Sequence, residues 1–207
     1  MRMKRFVTGL IFVCFLYTGK AQKIEEFFIQ IPDDLIVQLE KAWRKDLVDL
    51  YKSGNPAALE NTMEGRSVLK KLTNNYMLLQ STERSTVELK LLSLVNNSYI
   101  ICMIETVFAP IADSRISFYS TDWQRLPSGD ILTPVAESWF WKEDAPSQGY
   151  LPQPEMFLLK YSLSDENELL TAEYMSPHFL DDENQQIVQP FLKAELKTYR
   201  WKAGRFE

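Results

Sequence analysis

Residues 98–108, Ser-Tyr-Ile-Ile-Cys-Met-Ile-Glu-Thr-Val-Phe, are apolar at nearly every position. A strand with one solvated face alternates polar and apolar side chains, so a run without alternation belongs to a central strand covered on both faces. Glu105 falls near its far end. The neighbouring segments do alternate. Residues 76–80 and 86–93 read as strands separated by the polar Ser81-Thr82-Glu83-Arg84-Ser85, and Val87, Leu89 and Leu91 share one face against Glu88 and Lys90. Asn96-Asn97 turns the chain into the apolar run. After Pro110, residues 115–120 set Ile116 and Phe118 opposite Arg115, Ser117 and Tyr119. Together these segments predict an antiparallel meander of four strands.

Ahead of the meander the period is helical. From residue 24 to about 51, Leu35, Leu39, Trp43, Leu47 and Leu50 recur at spacings of four, four, four and three, with Lys41, Arg44, Lys45 and Asp49 largely off that face. Asp33, after Pro32, fits the N-cap of the longer element, and Ser53-Gly54-Asn55-Pro56 ends it. Beyond Leu126-Pro127-Ser128-Gly129-Asp130, prolines at 134, 146, 152 and 154 disfavour strands, and residues 135–141 suit a short helix. Strands resume at 156–163 and 168–175 around the turn Ser164-Asp165-Glu166-Asn167. An acidic loop or short helix over 176–189 leads to a last strand over 192–201. The expectation is an α+β protein, its N-terminal helices packed on an antiparallel β-meander sheet. A degenerate tandem duplication is compatible with the pattern, with subdomains 22–126 and 127–207.

The first 21 residues read as an address. Arg2, Lys4 and Arg5 precede an apolar stretch over 6–17, and Gly19 and Ala21 place small residues before a cut at Ala21-Gln22. About 12 apolar residues span about 18 Å of helix, short of a hydrocarbon core about 30 Å thick, so a cleaved signal peptide is expected rather than a stable anchor. Cys14 lies inside this stretch without the small residues of a lipobox. The chain holds 23 Lys and Arg against 28 Asp and Glu. Removal of a leader carrying Arg2, Lys4, Arg5, Lys20 and no acid deepens the net charge from −5 to −9. Such a chain repels phosphate backbones, which argues against nucleic acid, and it is expected in the periplasm or outside the cell. Cys102 alone remains, so no internal disulfide forms, and its apolar neighbours predict a small buried thiol.

Several stretches resemble a secreted Bacteroidales family, domain-of-unknown-function family 3256. They are Ile31-Pro32-Asp33, Arg44-Lys45-Asp46-Leu47, Ser85-Thr86-Val87-Glu88, Ala109-Pro110 through Asp113-Ser114-Arg115-Ile116 to Phe118-Tyr119, and Asp122-Trp123. The resemblance covers most of residues 22–207. It implies export in a Gram-negative bacterium, and it transfers no functional residue.

Reactive chemistry is sparse in this sequence. His178 is the sole imidazole and no Gly-x-Ser-x-Gly accompanies it, so a nucleophile triad is not expected. One His and one Cys do not make a zinc set, and Asp181-Asp182-Glu183-Asn184 lacks the spacing of a calcium loop. No catalytic, cofactor or metal residue is assigned. The candidate ligand surface is Asp113, Arg115, Tyr119, Trp123, Glu137, Trp139 and Trp141. Arg115 could meet an anion, although Asp113-Ser114 also suits a turn cap. Glu137 and Glu143 flank Trp139-Phe140-Trp141 as acids flank the aromatic platform of a sugar cleft. Tyr119, Trp123, Tyr199, Trp201 and Phe206 would form an aromatic patch if exposed. The expected function is an exported, non-enzymatic binding or envelope-assembly module for an unknown protein or glycan. The alternative is a glycan-binding or carbohydrate-active protein working through Glu137, Trp139 and Trp141.

Overall fold

A computed structural model describes residues 22–146 and 149–207. The leader read at residues 1–21, Cys14 included, lies outside the described residues. Helices α1 (Ile24–Gln30) and α2 (Lys41–Lys52) precede seven strands: β1 (Ala58–Glu60), β2 (Arg66–Leu72), β3 (Tyr76–Thr82), β4 (Ser85–Ser93), β5 (Tyr99–Phe108), β6 (Ala112–Ser120) and β7 (Arg125–Leu126). Each pairs antiparallel with the next, in chain order. A second antiparallel sheet contains β8 (Leu159–Leu163), β9 (Leu169–Tyr174), β10 (Lys197–Lys202) and β11 (Arg205–Phe206), with α3 (Asp182–Val188) between β9 and β10 in the chain. The fold is α+β, with helices, seven-stranded sheet and four-stranded sheet stacked as three layers.

Strand β5 shows why its sequence does not alternate. Ile101 and Met103 join the core formed with Phe28, Leu47 and Val48 of the helices. Ile100, Cys102 and Ile104 join a second core with Leu159, Tyr161, Leu170 and Trp201 of the smaller sheet. Both faces are dry, and full burial of each large side chain contributes about 1.5–3 kcal/mol.

The structure corrects two details of the helical lead-in. Asp33 caps no helix, because residues 31–40 fold as turns and α2 begins after Glu40. Arg44 is not off the buried face: it is 1% exposed, on the same stripe as Leu47 and Val48. Its guanidinium donates to the carbonyl of Ile31 at 2.7 Å and to that of Leu39, and it pairs with Asp33 at 2.9 Å. The turn is wound around this cation, and those backbone bonds outweigh the helical spacing of Leu35 and Leu39. The meander also has seven strands rather than four. Strand β2 breaks the two-residue period with a bulge, its register shifting between Leu69 and Lys71, so its apolar side chains fall out of step.

Candidate functional site

The polar cluster Asp113-Ser114 serves the joint between the two sheets. Strand β8 is an edge of the smaller sheet, and an unpaired edge exposes a row of amide donors. The Leu159 amide donates to the Asp113 carboxylate at 3.2 Å, the Tyr161 amide to the Ser114 hydroxyl at 3.1 Å, and the Leu163 amide to the Glu88 carboxylate at 3.0 Å. Alternate amides of one edge are thus capped by side chains of the larger sheet. The Lys90 ammonium donates to the Ser164 carbonyl at the end of the same strand. On β10 of the smaller sheet, the Trp201 indole donates to the Ser93 carbonyl at 2.7 Å.

Glu88 and Lys90 were legible only as the polar side of an alternating strand. In the folded chain that side faces the second sheet, and the two residues are 7% and 1% exposed. Burial pushes the Glu88 carboxyl up from its ordinary range, against the opposing hydrogen bonds of the Leu163 amide and the Tyr76 hydroxyl. Burial likewise lowers the Lys90 ammonium and raises the Tyr76 hydroxyl. Cys102 beside them is fully buried with its thiol pushed well up, which leaves it a poor nucleophile.

Arg115 is committed to Glu105, its cross-strand neighbour, through hydrogen bonds of 2.7 and 3.0 Å. Tyr119 is 5% exposed and packs with Trp123, ring centres 5.4 Å apart, in the core beneath the helices. Tyr199, Trp201 and Phe206 belong to the other core, so the seven-stranded sheet divides the aromatics that the sequence groups together.

Glu137 and Trp139 lie on a short 3-10 helix, Glu137–Phe140, and Trp141 follows it. This turn is stitched to the segment before β10: Trp141 bridges Leu192, and the Lys193 amide donates to the Phe140 carbonyl at 2.8 Å. The Glu137 carboxylate accepts the Tyr174 hydroxyl, while Tyr174 stacks on Phe140 at 5.0 Å. Burial is the larger cause raising the Tyr174 hydroxyl, with the bond to Glu137 second. Trp139 and Trp141 then serve different cavities. Trp139 walls a groove of about 730 Å³ with Thr133, Ser138, Lys197, Tyr199 and Arg205, whereas Trp141 lines a neighbouring pocket of about 190 Å³. Neither Glu137 nor Glu143 lines either cavity; the carboxylate on the Trp139 groove is Glu207.

Two lysines use the Trp139 ring. The Lys193 ammonium sits 4.7 Å from its centre and that of Lys197 5.4 Å, with Lys197 also 5.1 Å from the centre of Tyr199. Arg205 reaches the groove through the hairpin of β10 and β11. Its two-residue turn, Ala203-Gly204, has φ of +51° and +92°, the left-handed pair that such turns require. These lysines gave no sequence signal, because the pair, four residues apart, is distant in the chain from Trp139 and carries no motif.

The remaining polar candidates have local roles. Asp181 N-caps α3, its carboxylate accepting from the Asn184 amide at 2.8 Å. His178 is exposed beside a pocket of about 270 Å³ that Glu173, Lys193 and Glu195 also line. Among the described residues, no three His, Cys, Asp or Glu side chains gather closely enough to hold a metal ion. No described helix is long and apolar enough to cross a membrane.

Comparison with known proteins gives a family and a solved relative. A structure described as that of a domain of an uncharacterized protein from Porphyromonas gingivalis W83 superposes with a TM-score of 0.79 at 27% identity, covering 89% of this chain and 98% of that one. No curated protein matches. The family described as "Protein of unknown function (DUF3256)" matches residues 17–206, nearly the full sequence, and the chain belongs to it.

Proposed function

We propose that this protein is an exported, non-enzymatic binding module whose ligand occupies the Trp139 groove. One observation carries the choice of place. Asp113, Ser114, Glu88, Arg115 and Glu137 all spend their polar groups on partners within the chain, whereas the Thr133 and Ser138 hydroxyls and the Lys197 ammonium on the groove wall have no hydrogen-bond or ion-pair partner among the described residues. Its volume suits a small organic ligand. Export rests on the basic and apolar order of residues 1–21, and periplasmic or extracellular residence follows from it.

Thermal unfolding of the purified protein against a panel of glycans, peptidoglycan fragments and organic acids tests this proposal. A ligand at about 100 times its Kd adds about 2.7 kcal/mol, a rise of roughly 5–10 °C for a chain of this size. Ser138 is exposed on the groove wall, so Ser138→Trp fills the space without disturbing either core. The expected outcome is a shift in the parent that the variant abolishes. A flat panel, or a shift that survives the substitution, would place function elsewhere.

A further inference from the structure

Resting on that assignment, we infer that the groove takes a carboxylate-bearing saccharide, recognised by the Lys197 ammonium and the Arg205 guanidinium of its wall. Lys193 and Lys197 are held near one indole, at 4.7 and 5.4 Å from its centre, and neither lies within ion-pair distance of a carboxylate among the described residues. Lys193 lines a neighbouring pocket, so Lys197 is the ammonium that the ring shares with the groove. An anion in the groove gives Lys197 the counter-charge it lacks among the described residues.

The surroundings narrow the class. The arrangement stands against the chain's acidic balance, 28 acids to 23 bases, and so is local rather than part of a basic surface. Arg205 is the second cation on the wall, partly met at 3.9 Å by the Glu207 carboxylate, which also lines the groove. Thr133 and Ser138 bring exposed hydroxyls to the same groove, which match the hydroxyls of a sugar. The Trp139 ring, 5.4 Å from the Lys197 ammonium, helps position that cation at the groove. The volume of about 730 Å³ fits two or three sugar rings.

Isothermal titration of the full protein with trigalacturonate, maltotriose and inorganic phosphate tests the inference. Trigalacturonate is expected to bind at least tenfold tighter than either of the others. Lys197→Glu should weaken it at least tenfold, and raising salt from about 50 to about 300 mM should weaken it several-fold. Arg115→Ala, whose charge is already met by Glu105, should leave the affinity unchanged, and circular dichroism of both variants checks folding. Equal binding of maltotriose overturns the acidic class while leaving the groove as the binding site. Equal binding of phosphate overturns the saccharide class. Trigalacturonate binding indifferent to Lys197→Glu overturns the role of the Lys197 ammonium. Absence of sugar binding, with a panel shift still abolished by Ser138→Trp, overturns this inference alone.

Discussion

Arg44 shows how far one buried side chain can direct the chain around it. Its guanidinium satisfies the Ile31 and Leu39 carbonyls and meets Asp33, so the resembling segments Ile31-Pro32-Asp33 and Arg44-Lys45-Asp46-Leu47 are two sides of one contact. Arg44→Leu keeps the apolar packing and strands those carbonyls, a loss expected at about 3–5 kcal/mol by urea unfolding. Arg44→Lys should recover only part, since a single ammonium cannot reach along the same fork. Glu88 makes a different prediction. Its folded carboxyl lies above the ordinary value of 4.5, so the folded state holds the proton more tightly than the unfolded chain does. That contribution is fully present below the ordinary value and is lost as pH rises through the folded one. Glu88→Gln keeps an acceptor for the Leu163 amide and removes the titration. Urea midpoints across the acidic range should therefore decline less with rising pH in the variant than in the parent. Lys90, lowered from 10.5, acts in the opposite sense, since the unfolded chain holds that proton more tightly and its contribution to stability grows as pH rises.

Among the elements, legibility followed the regularity of the period. Strands β3 to β6 were visible because alternation, or its absence in β5, reports directly which faces are buried. Strand β2 was missed because the bulge at Lys70 places Leu69 and Leu72 three residues apart. Strands β1, β7 and β11 are three, two and two residues long, too short to show any period. The segment before α2 has the four-residue spacing of a helix at Leu35 and Leu39, but its turns bury Ile36 and Leu39 and leave Leu35 only half-buried. Of the candidate site, Trp139 was legible as an aromatic between acids. Its real partners, Lys193 and Lys197, come from a segment that only tertiary folding brings near.

Across the whole molecule, the polar residues most suggestive of chemistry in the sequence are those that join its layers. Apolar contacts fill the space between the two sheets without fixing how one sits on the other. Asp113, Ser114, Glu88 and Lys90 supply direction, holding β8 across β6 to β4 and leaving its edge closed to another chain. Ligand binding then falls to the rim of the smaller sheet, where the hairpin of β10 and β11 meets the Trp139 turn. Amide hydrogen exchange tests this division most directly. The account predicts that Leu159, Tyr161 and Leu163, though on a sheet edge, exchange as slowly as Lys160 and Ser162, and that Ser114→Ala accelerates Tyr161 selectively. Fast exchange at 159, 161 and 163 in the parent protein, with Lys160 and Ser162 protected, would contradict it.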